Sequence, residues 1–144
     1  MKFDNLIIAK AAFAEIAKQF PNLTMVESPE DPVELSMTLP VQPSLKYRLW
    51  LSLQNEDELH FGAGDHFHIE YFPCTKPENV ELFLKAVTGF MAGELRVLEH
   101  YRGHRCVKSQ LQKRVHNSWN TVGTCMGLYW PIPWQKTYKV LRND

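Results

Sequence analysis

The chain predicts an α+β domain: a largely antiparallel twisted sheet of about seven to eight strands with two helices packed on one face. Three observations lead there. Two segments, one at the N-terminus and one following Thr75, carry apolar residues at helical spacing. Leu45–Phe72 alternates polar and apolar residues through two short turns, as half-buried strands do. From Glu94 onward, short strand-like runs are separated by Gly103-His104 and by Pro131-Ile132-Pro133.

The first helix is expected from about Asp4, a candidate N-cap, to Phe20, where Pro21-Asn22 ends it. Leu6, Ala9, Phe13, Ile16, Ala17 and Phe20 form its apolar stripe. A weak strand at Thr24–Glu27 and a firmer one at Val33–Leu39 follow. Pro32 and Pro40 bracket the second and favour an edge position, since proline has no ladder donor.

Leu45–Leu53 is the strongest strand signal, with Leu45, Tyr47, Leu49, Leu51 and Leu53 on one face and Lys46, Arg48, Trp50 and Ser52 on the other. Asn55-Glu56-Asp57 makes a three-residue loop that sets Leu53 opposite Leu59 and Leu51 opposite Phe61, with Asp57 left-handed. A turn at Ala63-Gly64-Asp65 then pairs Phe61 with Phe67, His60 with His68 and Gly62 with His66. Thr75-Lys76-Pro77-Glu78 matches a capping box for the second helix, whose stripe is Val80, Phe83, Leu84, Val87 and Met91, with Gly93 as its stop. In the last third, a two-residue turn at Gly103-His104 sets Glu99 opposite Lys108 and Glu94 opposite Lys113. Neither face of that hairpin is cleanly apolar, so its orientation stays open. Thr124–Trp130 and Trp134–Leu141 read as closing strands.

At 144 residues the chain suits a single domain, 1–144, able to bury roughly 70% of its unfolded surface. The N-terminal run Leu6-Ile7-Ile8-Ala9 is interrupted by charge and too short for a signal peptide or a membrane span. Cys74, Cys106 and Cys125 are odd in number and form no Cys-x-x-Cys pair, which fits free thiols in a reducing cytoplasm. Charge is uneven: residues 1–72 carry 5 Lys and Arg against 11 Asp and Glu, and residues 73–144 carry 11 against 5. Such asymmetry suits a charged partner or mutual attraction of the two halves. The second is the expectation, because like charges never run beyond a few residues.

Four constellations are candidates for function. The alternation collects Arg48, Trp50, His60, His66, His68 and Glu70 on one sheet face. Imidazoles of His60, His66 and His68 there suit a transition metal, with Glu58, Asp65 or Glu70 adding an oxygen; the blander reading is a solvated or partner-facing surface. The basic hairpin bearing Arg96, Arg102, Arg105, Lys108, Lys113 and Arg114 suits a phosphate backbone or an acidic protein, against a reading in which edge charge discourages aggregation. Trp119, Tyr129, Trp130, Trp134 and Tyr138 read as core closure more than as a ligand groove. Cys106 near His100 or His104 is an unspecific nucleophile–base sketch. No nucleophile elbow, phosphate-cradling glycine loop or His-Glu-x-x-His helix occurs.

The expected function is therefore a small cytoplasmic, non-catalytic protein-binding module of adaptor, chaperone or immunity type. Its surface is the histidine and Trp face together with Arg102 and Arg105, and self-association is included among its partners. A metal-binding protein or metal-dependent enzyme built on His60, His66 and His68 is the first alternative. A basic ribbon binding nucleic acid is the second.

Overall fold

The computed structural model describes residues 2–127 and 135–144, and of Lys2 and Phe3 the backbone alone. Among the described residues two helices, α1 (Lys2–Gln19) and α2 (Pro77–Met91), accompany nine strands. The strands form two antiparallel sheets rather than one. In chain order, β1 (Val26–Glu27), β2 (Leu35–Leu39), β3 (Leu49–Gln54), β4 (Glu58–Ala63) and β5 (Phe67–Tyr71) make a five-stranded meander. A four-stranded sheet follows, with β6 (Leu95–Arg102), β7 (Arg105–Val115), β8 (Ser118–Met126) and β9 (Lys136–Arg142) in the order β8-β7-β6-β9. The fold class stands as α+β. The acid-rich half of the chain builds the first sheet and the base-rich half the second.

The alternation through β3, β4 and β5 produces the expected oily face. Leu49, Leu51, Leu53, Leu59 and Phe61 are fully buried. Ala9, Phe13 and Ile16 of α1 cover it together with Phe83, Val87 and Phe90 of α2. Helix α2 packs against β4 and β5 on one side and β6 on the other. Val97, Leu111 and Leu141 of the four-stranded sheet therefore join the same core. Ring contacts bind the layers, Phe13 to Phe83 and Phe61 to Phe90, each at 6.0 Å between centroids.

Several local expectations are corrected. Asp4 lies in the first turn of α1, not at its cap, where its charge suits the positive helix end. Helix α2 has Lys76 at its N-cap with no side-chain cap bond, so Thr75 and Glu78 form no capping box; Pro77 opens the helix as expected. Strand β2 is internal, between β1 and β3. Pro32 and Pro40 fall outside its ends, so neither removes a ladder donor. Strand β3 starts at Leu49; Leu45 instead bridges Gln42 across a tight turn, beside which the C-terminal segment is bonded. Asn143 accepts from the Lys46 N–H at 2.9 Å and donates to the Ser44 carbonyl at 3.0 Å. In the 55–57 loop the left-handed residues are Asn55 and Glu56, not Asp57, although the pairs Leu53–Leu59 and Leu51–Phe61 hold.

Two registers differ from expectation with consequences for the site. Strands β4 and β5 pair Ala63 with Phe67, Gly62 with His68 and His60 with Glu70, two residues away from the expected pairing. The loop is 64–66, with Gly64 at φ +65° in the left-handed region. An even slip keeps every side chain on its face, so His60 and His68 still share one; they become diagonal neighbours, and His66 leaves the strand for the turn. Between β6 and β7 the Gly103-His104 turn is as expected. A bulge beside His100 and Tyr101 then shifts the register by one, so that Glu99 faces Ser109 and Lys108 faces His100. Leu95, not Glu94, pairs with Lys113. The first closing strand, expected from Thr124, already begins at Ser118 and runs to Met126, and the second begins at Lys136; Tyr129, Trp130, Pro131-Ile132-Pro133 and Trp134 lie outside the described residues.

Candidate functional site

The outer face of the five-stranded sheet is closed by its own side chains. Trp50 pairs with Gly62, and its indole lies across that glycine so closely that a Cβ there would overlap Trp50 Nε1 and Cε2. The indole sits 6.3 Å from the His60 ring and 6.1 Å from the His68 ring, and the two imidazoles are 6.5 Å apart and nearly parallel. His60 is only 8% exposed, and its Nε2 lies 2.9 Å from the Glu58 carboxylate, which also accepts from Asn55 at 3.1 Å. The Asn55 bond, and after it the His60 bond, hold Glu58 below the ordinary carboxylate value. Ser52, at the centre of the face, is buried and accepts from Gln54 at 2.7 Å. Of the expected surface residues here, Arg48, His68 and Glu70 are exposed, Trp50 is half-buried, and Arg48 reaches Asp65 at 3.9 Å.

His66 does not join His60 and His68. From the 64–66 turn it projects toward the second sheet, where its ring meets Tyr101 edge-on at 6.0 Å. Glu99 on β6, expected opposite Lys108, and Cys106 on β7, expected near His100 or His104, lie there instead. Ligand atoms of His66, Glu99 and Cys106 all fall within 4.8 Å of one another, the one such group among the described residues. Glu99 is 2% exposed and accepts from the Tyr101 hydroxyl at 3.0 Å. Burial, and then that bond to Glu99, pushes the Tyr101 phenol well above its ordinary value. Burial followed by the Glu99 charge raises the Cys106 thiol. Next along the seam, Cys125 Sγ approaches His68 Nδ1 at 3.4 Å. One signal for Glu99 was present in the sequence: Leu95, Val97, Glu99 and Tyr101 share a parity, and their two apolar members mark the buried side.

The register also settles the orientation of the basic hairpin. Val97, Glu99, Ser109 and Leu111 face the core. Residues paired across the strands share a face, so Arg96, Arg102, Arg105, Lys108, Arg114, Lys136 and Arg142 face outward, and no carboxylate of the described strand residues does. Leu98, Met126, Tyr138 and Val140 lie among these cations, with Met126 64% and Tyr138 60% exposed. His100 packs edge-on against Tyr138 at 5.1 Å. A groove of about 250 Å³ runs between His100, Arg102, Lys108, Met126, Lys136 and Tyr138. At the other end, the Arg96 and Arg142 guanidiniums sit 4.3 and 5.2 Å from the Trp119 ring centroid. Burial, and then the charge of Arg142, lowers the Arg96 guanidinium from its ordinary value. Lys113, expected with this basic group, is on the opposite parity.

No protein-family model, no curated protein and no solved structure matches the chain. No helix among the described residues is long and apolar enough to cross a membrane, and Cys74, Cys106 and Cys125 are free thiols.

Proposed function

We propose that the protein is a non-catalytic binding module whose partner is a protein with an acidic surface surrounding apolar residues. The engaged surface is the outer face of the four-stranded sheet. One observation carries this reading: an apolar centre of exposed Met126, Tyr138 and Val140 and half-buried Leu98, framed by seven cations, of which Arg142 also reaches the Asp144 carboxylate at 3.7 Å, with no carboxylate on that face among the described strand residues. Apolar centres with charged rims, enriched in Tyr, Met and Arg, are the anatomy of protein interfaces. Arg102 and Arg105 keep the binding role expected of them. Arg48, Trp50, His60, His68 and Glu70 contribute less, because the central rings of their face already satisfy one another.

Nucleic acid is the second reading, favoured by the same cations. Binding of single strands relies on aromatic platforms, whereas Trp119 is capped by two guanidiniums and the centre of the face is largely aliphatic. Two-fold pairing of this face with itself would set cations against cations, which disfavours a homodimer formed there. A reducing cytoplasm is the proposed compartment, consistent with the three free thiols.

The test uses two fluorescent probes of equal negative charge, a peptide alternating Glu with Leu and Phe, and a single-stranded oligonucleotide. The peptide is expected to bind more tightly, and Met126→Ala with Tyr138→Ala is expected to weaken it about tenfold at unchanged charge. Tighter oligonucleotide binding that ignores those two substitutions would replace the protein partner with nucleic acid.

A further inference from the structure

We infer that His66, Glu99 and Cys106 form a transition-metal site of the zinc class, pinning the 64–66 turn of the first sheet to β6 and β7 of the second. The inference is independent of the proposed binding face, which lies on the other side of the four-stranded sheet.

The donor set is the first argument. An imidazole, a carboxylate and a thiol are the ligand types that zinc takes, and their softness selects it over calcium or magnesium. Geometry is the second. The three donors lie within 4.8 Å of one another, while tetrahedral bonds of 2.0–2.3 Å place ligand atoms about 3.3–3.8 Å apart. Closing that gap takes a movement of about 1 Å, and His66 is an exposed side chain on a turn. The third argument is the burial of Glu99. A carboxylate 2% exposed in the wall of an apolar core needs compensation. The described geometry supplies the Tyr101 hydroxyl at 3.0 Å, in the position of an outer-shell donor that orients a ligand carboxylate.

The location supplies a reason for such a site. Strands β5 and β8 approach along the seam but belong to separate sheets, so no ladder joins them. A metal there would tie the 64–66 turn to the β6–β7 hairpin, two segments distant in sequence. Three protein ligands leave a fourth position for water on the solvent side, beside His66.

Zinc and cobalt binding to the intact purified protein provide the test. One equivalent of zinc is expected to survive desalting, and the cobalt form is expected to show thiolate-to-metal charge-transfer absorption. His66→Ala and Cys106→Ser should each weaken zinc by more than about a hundredfold, and Tyr101→Phe by about 10–100-fold as an outer-shell change. His104→Ala, on the exposed β6–β7 turn, should leave zinc binding unchanged. His66→Ala alters an exposed turn residue, so its metal-free form should melt as the wild type does, separating lost ligation from lost fold. Sub-stoichiometric zinc, a cobalt spectrum without the thiolate band, or binding indifferent to His66→Ala and Cys106→Ser would overturn the site.

Discussion

The two outward sheet faces are made from similar residue types, aromatic rings, histidines and arginines, but they finish in opposite states. On the five-stranded sheet the rings close over the backbone: the Trp50 indole fills the space above Gly62 and flanks His60, which is bonded to Glu58. On the four-stranded sheet Tyr138 and Met126 project into solvent among lysines and arginines. A side chain on a polar face is available to a partner only when its neighbours have not already taken its contacts. That difference is the reason for proposing the second face, and not the first, as the binding surface.

This contrast breaks most readily at the two aromatic anchors. Trp50→Ala should cost about 2–3 kcal/mol, a half-buried fraction of the usual large-to-small loss, whereas Tyr138→Ala should fall within about 0.5 kcal/mol. Urea unfolding of both variants checks this, and equal losses would remove the distinction. Gly62→Ala should cost about 1–3 kcal/mol, because its methyl displaces the indole. In a Trp50→Ala background most of that cost should disappear, so a double-mutant cycle showing additivity would contradict the stacked arrangement.

A smaller effect sharpens the first face by pH. The folded-state pKa of Glu58 is depressed, so its contribution is present above the unfolded carboxylate value and fades as pH falls through the folded one. Thermal melts should therefore show the wild type losing part of its stability below about pH 4.5, and Glu58→Gln should lose less over the same interval. Smallest in stability are Arg105→Glu and Lys136→Glu, each expected within about 0.5 kcal/mol by the same melts. Their effect belongs to binding, where both should weaken the acidic peptide, more so at low salt.

The legible part of this molecule was parity. Alternation in Leu45–Phe72 placed Leu51, Phe61 and Phe67 inside and Trp50, His60 and His68 outside, because side-chain direction changes with every residue. Parity is blind to a slip of two, so it missed the Gly62–His68 pairing and left His66 in the strand; the turn conformation at Gly64 decides that. It also fails across a bulge, where one extra residue on β7 turned Lys108 to the outer face and left Glu99 opposite Ser109. The division into two sheets depended on α2 wedging between β4 and β6, a tertiary contact that local periodicity does not encode. Of the site, the histidines and the basic hairpin were visible as groups, and the expected turn register already put Cys106 on the face of Glu99; the approach of His66 from the other sheet was not legible in local periodicity.

Mapping peptide-induced shifts by nuclear magnetic resonance tests the contrast most directly, using the acidic, apolar-bearing peptide and protein labelled at backbone amides, methyl groups and indole N–H. The methyl groups of Leu98, Met126 and Val140 should move on titration while the Trp50 indole N–H stays in place. Movement of the Trp50 indole and His68 with unmoved Met126 and Val140 methyls would contradict the account and return the binding surface to the histidine face.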